Sequence, residues 1–247
     1  MTQLLIGIDD TDNNESRGTG FHTRQLAAIL HKKKLGQVKS ITRHQLFVHP
    51  QIPYTSQNSS ACMEVFTDNI SGITEFIYSH LLKEAVEGCD IGLCIMKYEK
   101  IEPTLHIWGK RAKIEVLTQS EAKEIATRGD IYLQGLTGTK DGIIGALAAV
   151  ALRATGNDGR FIYLHGTELR ELSGTYSTEY LLNKTGIDII KSINNKQLVN
   201  KEKILIDGWA RPVLQNNEII LFVEQIRNNT NYEWRVARKE YIKSISQ

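Results

Sequence analysis

Asp9, Asp10 and Asp12 place three carboxylates within four residues, directly after the apolar run Leu4, Leu5, Ile6 and Ile8. A short apolar run of this kind reads as a buried strand, and the carboxyl end of a strand is where mixed α and β folds commonly hold ligands. Hard oxygen donors suit magnesium, which takes one or two carboxylates together with substrate phosphates. The same residues, followed by Asn13 and Asn14, also make an ordinary tight turn. A calcium loop is excluded, because Glu15 stands where its glycine is required and Phe21 where its bidentate glutamate is required.

A second group of residues begins more than 120 positions later. Gly135-Leu-Thr-Gly-Thr-Lys-Asp-Gly142 follows an expected strand and opens onto the apolar, alanine-rich stretch Ile143 to Leu152. Strand, glycine-rich loop and helix start together make a phosphate cradle, since backbone N–H groups and the positive end of the helix dipole converge on one anion. Lys140 adds a point charge. Lys140 also stands where the Walker pattern needs glycine, and the spacing Gly138, Gly142, Gly145 is too wide between its first two glycines for a dinucleotide fingerprint. A glycine-rich turn in which Gly145 only permits close helix packing is the alternative.

Other chemistries find less support. Six of the seven histidines, those at 22, 44, 49, 80, 106 and 165, are scattered without metal-ligand spacing, and no nucleophile elbow marks a serine hydrolase. Cys62, Cys89 and Cys94 make neither a Cys-x-x-Cys pair nor an even set, against a zinc site or a disulfide scaffold. Among 247 residues, 41% are hydrophobic and 23% charged, and the net charge is only +2, short of the basic balance of a dedicated nucleic-acid binder. No run approaches the ~18 apolar residues of a membrane helix and no signal peptide opens the chain, so the expectation is a cytoplasmic protein with no membrane partner.

The elements that must position these groups can be read from periodicity. A helix is expected from about His22 to Lys33, with Thr19 and Thr23 at or near its start as N-cap candidates. A strand follows over Val38 to Val48, a loop over Gln51 to Ser59, a strand over Ala61 to Phe66, a helix over Gly72 to Val86 and a strand over Ile91 to Met96. The order βαββαβ predicts an α+β fold whose amino-terminal part is ferredoxin-like, with two helices on one face of an antiparallel sheet. Further expectations are a strand at Ala112 to Leu117, a helix at Ser120 to Thr127 and a strand at Ile131 to Gln134. Beyond Phe161 the chain reads as strand-rich, with a helix near Thr178 to Asn183 and strands at Lys203 to Ile206, Ile219 to Val223 and Trp234 to Ala237. The expected division is residues 1–165 and a smaller unit, 166–247.

Three stretches taken together, Ile6-Gly-Ile-Asp-Asp-Thr-Asp12, His49-Pro-Gln-Ile-Pro-Tyr54 with Asn58-Ser-Ser-Ala61, and Gly142-Ile-Ile-Gly-Ala-Leu-Ala-Ala149, resemble the archaeal tRNA-Ile agmatinylcytidine synthetase (TiaS) family. A weaker resemblance, Ile204-Leu-Ile-Asp-Gly-Trp-Ala-Arg-Pro-Val-Leu214, matches the end of that family's ferredoxin-like domain. The resemblance implies an ATP-binding, kinase-like domain in which Asp9, Asp10 and Asp12 hold magnesium. It further implies that Gly138, Thr139, Lys140, Asp141 and Gly142, with Arg17, Gly18, Thr19, Asn58 and Ser59, face the nucleotide. Asp10 and Thr23 are then the catalytic candidates, Thr23 matching best the family's phosphorylated threonine. Where the family carries basic residues, this chain has Thr55-Ser-Gln-Asn-Ser59.

The expected function is that of an ATP- and Mg2+-dependent phosphotransferase or ligase-like enzyme. Its acceptor would be a small molecule, or RNA presented by a partner, and a homo-oligomer is compatible with this reading. The alternatives are a nucleotide-binding regulatory subunit without catalysis and a tRNA cytidine modification enzyme.

Overall fold

The structure is a computed structural model that describes residues 1–55, 57–199, 201–226 and 233–246. The chain divides into two compact units, residues 1–155 and 156–247.

The first unit begins β1 (Thr2–Asp9), α1 (Thr19–Lys32), β2 (Gln37–Gln45), β3 (Ser59–Thr67), α2 (Ile70–Lys83) and β4 (Gly92–Lys97). The strands lie in the order β4-β1-β3-β2, all antiparallel, which is the arrangement the βαββαβ reading predicts. Alternation sorts their side chains: Leu4, Ile6 and Ile8 line one face, with Met63 and Val65 opposite them on β3. Helix α1 packs on this part of the sheet and α2 packs beside α1. Asn69 caps α2 by accepting the Gly72 N–H at 2.8 Å.

Past β4 the chain covers the other face with α3 (Pro103–Arg111), α4 (Gln119–Arg128), an edge strand β5 (Tyr132–Gly135) on β4, and α5 (Gly142–Ala154). Every position of α5 from Gly142 to Leu152 except Ile144 is buried, and its alanines let it lie directly on β1. Contact is closest at Gly7, where an added Cβ would overlap the Ala146 carbonyl. Cys62 and Cys94 flank Gly7 on the neighbouring strands, and both thiols are buried beneath α5. Burial pushes the Cys62 thiol up to about 12 and Cys94 higher still. At the far end of α5, Arg153 Nη2 meets Glu64 Oε2 at 2.7 Å, with the carboxylate 4% exposed. Glu64 also accepts from Gln3 Nε2 at 2.7 Å and Ser40 Oγ at 2.9 Å, which satisfies its buried charge.

Two expectations for this unit change. Ala112 to Leu117 is not a strand: the N–H groups of Ile114 and Glu115 both return to the Arg111 carbonyl at 2.9 and 2.8 Å, continuing a helical turn. Its alternation arises because Ala112 and Leu117 are buried against α5 while Ile114 and Val116 are exposed. The preceding helix α3 was not expected; its signals are Pro103 at the first helical position and the spacing of Leu105, Trp108 and Ala112. Helix α4 falls where expected, its start set by a capping box between Thr118 and Glu121.

The second unit contains β6 (Arg160–Leu164), β7 (Thr167–Glu168), β8 (Gly174–Ser177), α6 (Thr178–Thr185), β9 (Ile189–Ser192), β10 (Lys203–Ile206), β11 (Val213–Gln215), β12 (Glu218–Gln225), β13 (Trp234–Val236) and α7 (Lys239–Ser246). Its strands run β6-β11-β12-β13-β10-β8, with β7 on β6 and β9 parallel to β12. Its core is its own, built on Phe161, Leu181, Ile190, Ile204, Leu214, Leu221 and Trp234. This is the strand-rich part the sequence predicts. No helix among the described residues is long and apolar enough to cross a membrane.

Candidate nucleotide site at the amino end of α5

Three chain segments end at one edge of the first unit. Register pairs Asp9 at the end of β1 with Gly92 at the start of β4, and Gly92 in turn with Gly135, from which the glycine-rich loop departs. The acidic turn, the residues just before β4 and the loop into α5 are thereby neighbours. Asn13 Nδ2 adds a tie, donating to the Glu87 carbonyl at 3.0 Å.

Asp9 points toward α5. Its Oδ2 lies so near Gly145 that an added Cβ there would overlap it, so Gly145 is where the acidic strand end and the glycine-rich helix touch. The sequence makes Asp9 the carboxylate aimed away from its companions if the strand persists to it. Here the strand does persist, and the face it selects is the one covered by α5. Burial, followed by the charge of Asp10, pushes the Asp9 carboxyl up to about 8, with donation from the Asp10 backbone N–H opposing.

Asp10 begins the turn in the left-handed region, at φ 53, a conformation that aspartate tolerates better than most residues. Partial burial and the charges of Asp90, Asp12 and Asp141 raise its carboxyl to about 6, while the Asp90 backbone N–H lowers it. These acidic groups therefore lie close enough to repel.

Asp90 is the residue that sequence reasoning missed. Its carboxylate accepts the Thr139 N–H at Oδ1 and the Thr139 hydroxyl at Oδ2, the latter at 2.6 Å, and its carbonyl accepts the Gly142 N–H at 3.1 Å. Gly138, at φ 52, wraps so tightly over Asp90 that no side chain could stand there. Thr137 completes the loop's anchor, its hydroxyl donating to the Cys89 carbonyl at 2.7 Å and accepting the Ile91 N–H at 2.8 Å. Gln119 Nε2 holds the other side through the Thr139 carbonyl at 2.8 Å and Asp141 Oδ1 at 2.7 Å. Lys140 is exposed, in left-handed backbone at φ 71.

The remaining expected residues do other work. Asp12 is a helix anchor: its Oδ1 accepts the Thr19 N–H at 3.0 Å and the Thr19 hydroxyl at 2.9 Å, and its Oδ2 accepts the Thr55 hydroxyl at 2.8 Å. A negative charge at the start of α1 also suits the helix dipole. Thr19 is thus committed to Asp12, and its hydroxyl receives the Thr11 N–H at 3.3 Å. Thr23, expected as a reacting hydroxyl, is 1% exposed and donates to the Thr19 carbonyl one turn back at 2.8 Å. In this arrangement the hydroxyl is buried and spent inside its own helix. Arg17 lies over the Phe21 ring at 5.1 Å, next to the exposed Gly18. Asn58 braces the strand ends, donating to the Phe47 carbonyl at 2.6 Å, and the Ser59 hydroxyl reaches the Gln57 carbonyl at 3.4 Å. Ser56, between Thr55 and Gln57, lies outside the described residues.

Among the described residues, no group of three or more His, Cys, Asp or Glu side chains is placed to enclose a metal ion. The donor set fits magnesium only in its usual form, with one or two carboxylates supplied by the protein and the other positions left to water and phosphate oxygens. The candidates for those carboxylates are Asp10 and Asp12, the latter only through the lone pairs that its hydrogen bonds to Thr19 and Thr55 leave open, and the like charges that raise the Asp10 carboxyl are what a divalent cation would relieve.

No family model matches the chain. It is 30% identical over 155 residues to an uncharacterised protein of Methanocaldococcus jannaschii, covering 62% of this chain and 50% of that one. It is 29% identical over 155 residues to TiaS of Methanosarcina mazei, a 2-agmatinylcytidine synthetase for an isoleucine tRNA, covering 59% of this chain and 35% of that enzyme. The chain thus spans half or less of the length of the curated relatives it matches. Among solved structures, a complex of TiaS with its isoleucine tRNA and ATP matches 99% of this chain and 55% of that one at TM-score 0.54 and 18% identity. Apo TiaS matches 60% and 35% at TM-score 0.52 and 23% identity, so these two structures speak to the fold alone.

Proposed function

We propose, from the premise that this is a TiaS-like chain, that it is an ATP-dependent, ligase-type enzyme that modifies RNA, with a tRNA cytidine as the acceptor class. The observation that carries the reading is the meeting of Asp9 with Gly145, which sets the acidic turn against the amino end of α5. Phosphoryl and nucleotidyl transfer depend chiefly on positioning and charge neutralisation, which a phosphate cradle and metal-binding carboxylates supply. In this reading Asp10 and Asp12 hold magnesium, which would neutralise phosphate charge. Gly138 to Gly142 and Lys140 face the phosphates, and Asp90 keeps the loop in shape until they arrive. Asp9, held against α5, sets the end of β1 so that Asp10 enters the site. An RNA acceptor is preferred over a small molecule because the TiaS of Methanosarcina mazei is by name a tRNA enzyme.

The test is ATP turnover with magnesium and tRNA, comparing the wild-type chain with Asp10→Asn. A loss of about 100-fold or more is expected, the scale on which removal of one transition-state charge contact acts. Equal rates would sink the proposal. One observation favours a second reading, a nucleotide-binding regulatory subunit: the Thr23 hydroxyl is spent within α1. Stoichiometric ATP binding with no turnover in the wild type decides for it.

A further inference from the structure

In the proposed nucleotide site the two donors of Thr139 are already taken. Its N–H and its hydroxyl both close on the Asp90 carboxylate, the first at Oδ1 and the second at Oδ2, 2.6 Å away. Gly138, at φ 52, folds over the same group, so that an added Cβ there would overlap Oδ1. A backbone N–H and a hydroxyl converging from one glycine-rich turn on the oxygens of one anion is how such loops hold a phosphate. Here the anion belongs to the chain. It is not sealed in, since Asp90 is half-buried and Thr139 is exposed.

The loop has supports that do not depend on that carboxylate. Thr137 fastens it to the Cys89 carbonyl at 2.7 Å and the Ile91 N–H at 2.8 Å, and Gln119 fastens it through the Thr139 carbonyl at 2.8 Å and Asp141 Oδ1 at 2.7 Å. The Asp90 backbone is held separately as well, its carbonyl accepting the Gly142 N–H at 3.1 Å and its N–H donating to Asp10. Rotation of the Asp90 side chain therefore frees both Thr139 donors while loop and strand stay in place. Any phosphate that uses those donors requires the rotation, because a carboxylate and a phosphate oxygen sharing one N–H would bring like charges into contact.

We propose that the Asp90 carboxylate is an internal stand-in for phosphate: it occupies the Thr139 donors until a polyphosphate displaces it, and so sets a threshold on nucleotide binding. Its role then differs from that of a brace, because taking away its charge strengthens binding where taking away a brace weakens it. The proposal rests on the reading of the glycine-rich loop as a phosphate cradle and adds the regulation of that site.

The experiment is isothermal titration calorimetry of the full chain with inorganic tripolyphosphate, without magnesium, so that neither turnover nor metal binding enters the result. Asp90→Asn keeps the shape and both hydrogen bonds, its amide oxygen accepting the Thr139 N–H and its amide nitrogen donating to the Thr139 hydroxyl, and takes away only the charge. It is expected to bind tripolyphosphate about 10-fold more tightly than the wild type, the scale of the difference between a charged and a neutral acceptor. Asp141→Asn controls for charge in general. It removes a carboxylate that also faces Asp10 but accepts from Gln119 rather than Thr139, and should gain about 3-fold or less, as a screened charge does. Thermal melting of each variant checks that it is folded, and Asp90→Ser carries the same expectation should Asp90→Asn melt early. Equal or weaker binding by the folded Asp90 variants, or an equal gain in Asp141→Asn, would overturn the proposal and leave the cradle standing. Binding by none of the proteins would overturn the cradle, and the proposal with it.

Discussion

Asp9 shows how the neighbourhood of a carboxylate, and even its turn away from its companions, can be read from a sequence while what it meets stays hidden. Its place at the end of an apolar strand is plain in the sequence; the face it takes depends on where α5 lies, which no local pattern states. Asp90 is harder to see, because a single aspartate before a strand has no mark of its own until the loop that wraps it is in place. The raised carboxyls of Asp9 and Asp10 make a prediction about pH. Each proton is bound more tightly in the folded chain than in the unfolded one, where both groups have the ordinary value of 3.8. The stability this contributes is full below about pH 4 and is lost as pH rises through about 6 for Asp10 and about 8 for Asp9. Without magnesium, the melting temperature should therefore fall between pH 5 and pH 9, and Asp9→Asn should flatten that fall and raise the melting temperature at pH 9. A variant whose profile parallels the wild type would show that Asp9 is ionised throughout.

At the scale of elements, β1 to β4 with α1 and α2 were legible because each carries a clear period and their order matches a known arrangement. Elements were lost where the period was short or borrowed. Strands β7, β9 and β11 span two to four residues and hold no alternation to read, while Ala112 to Leu117 imitates a strand through the burial of its two ends. The contact between α5 and β1 is the joint on which the site depends, and Gly7 is its narrowest point. Gly7→Ala sets a methyl group against the Ala146 carbonyl, and the helix must lift to admit it. Overpacking of this sort costs about 1–3 kcal/mol, more when backbone must move. Urea denaturation should show a loss in that range or above, and ATP affinity should fall with it, since the lifted helix carries Gly145 away from Asp9. Full retention of both would mean that the sheet, rather than the helix, yields.

For the whole molecule, the two units have separate cores, one gathered under α5 and one around Phe161, Leu181 and Leu221. We propose that they are distinct folding units. Residues 1–155 expressed alone should unfold in one cooperative step and bind ATP with the affinity of the full chain, since every residue of the nucleotide site lies within them. Far-ultraviolet circular dichroism and calorimetry check this, and a fragment that shows no transition would count against it. The meeting of the acidic turn with the glycine-rich loop, more than 120 residues apart, was legible only through resemblance to a family; nothing in either segment states that it pairs with the other.

Three thiols lie in this unit at different depths of its architecture. Cys62 on β3 and Cys94 on β4 are sealed between the sheet and α5, and Cys89 sits 2% exposed with its sulfur 3.5 Å from the Thr137 hydroxyl that anchors the glycine-rich loop. Alkylation requires a thiolate in contact with solvent. The folded chain thus carries two internal clocks: modification of Cys89 times the release of the loop from its anchor, and modification of Cys62 and Cys94 times the parting of helix from sheet. Added nucleotide should slow the first clock more than the second, so that the chain records which of its joints a ligand has closed.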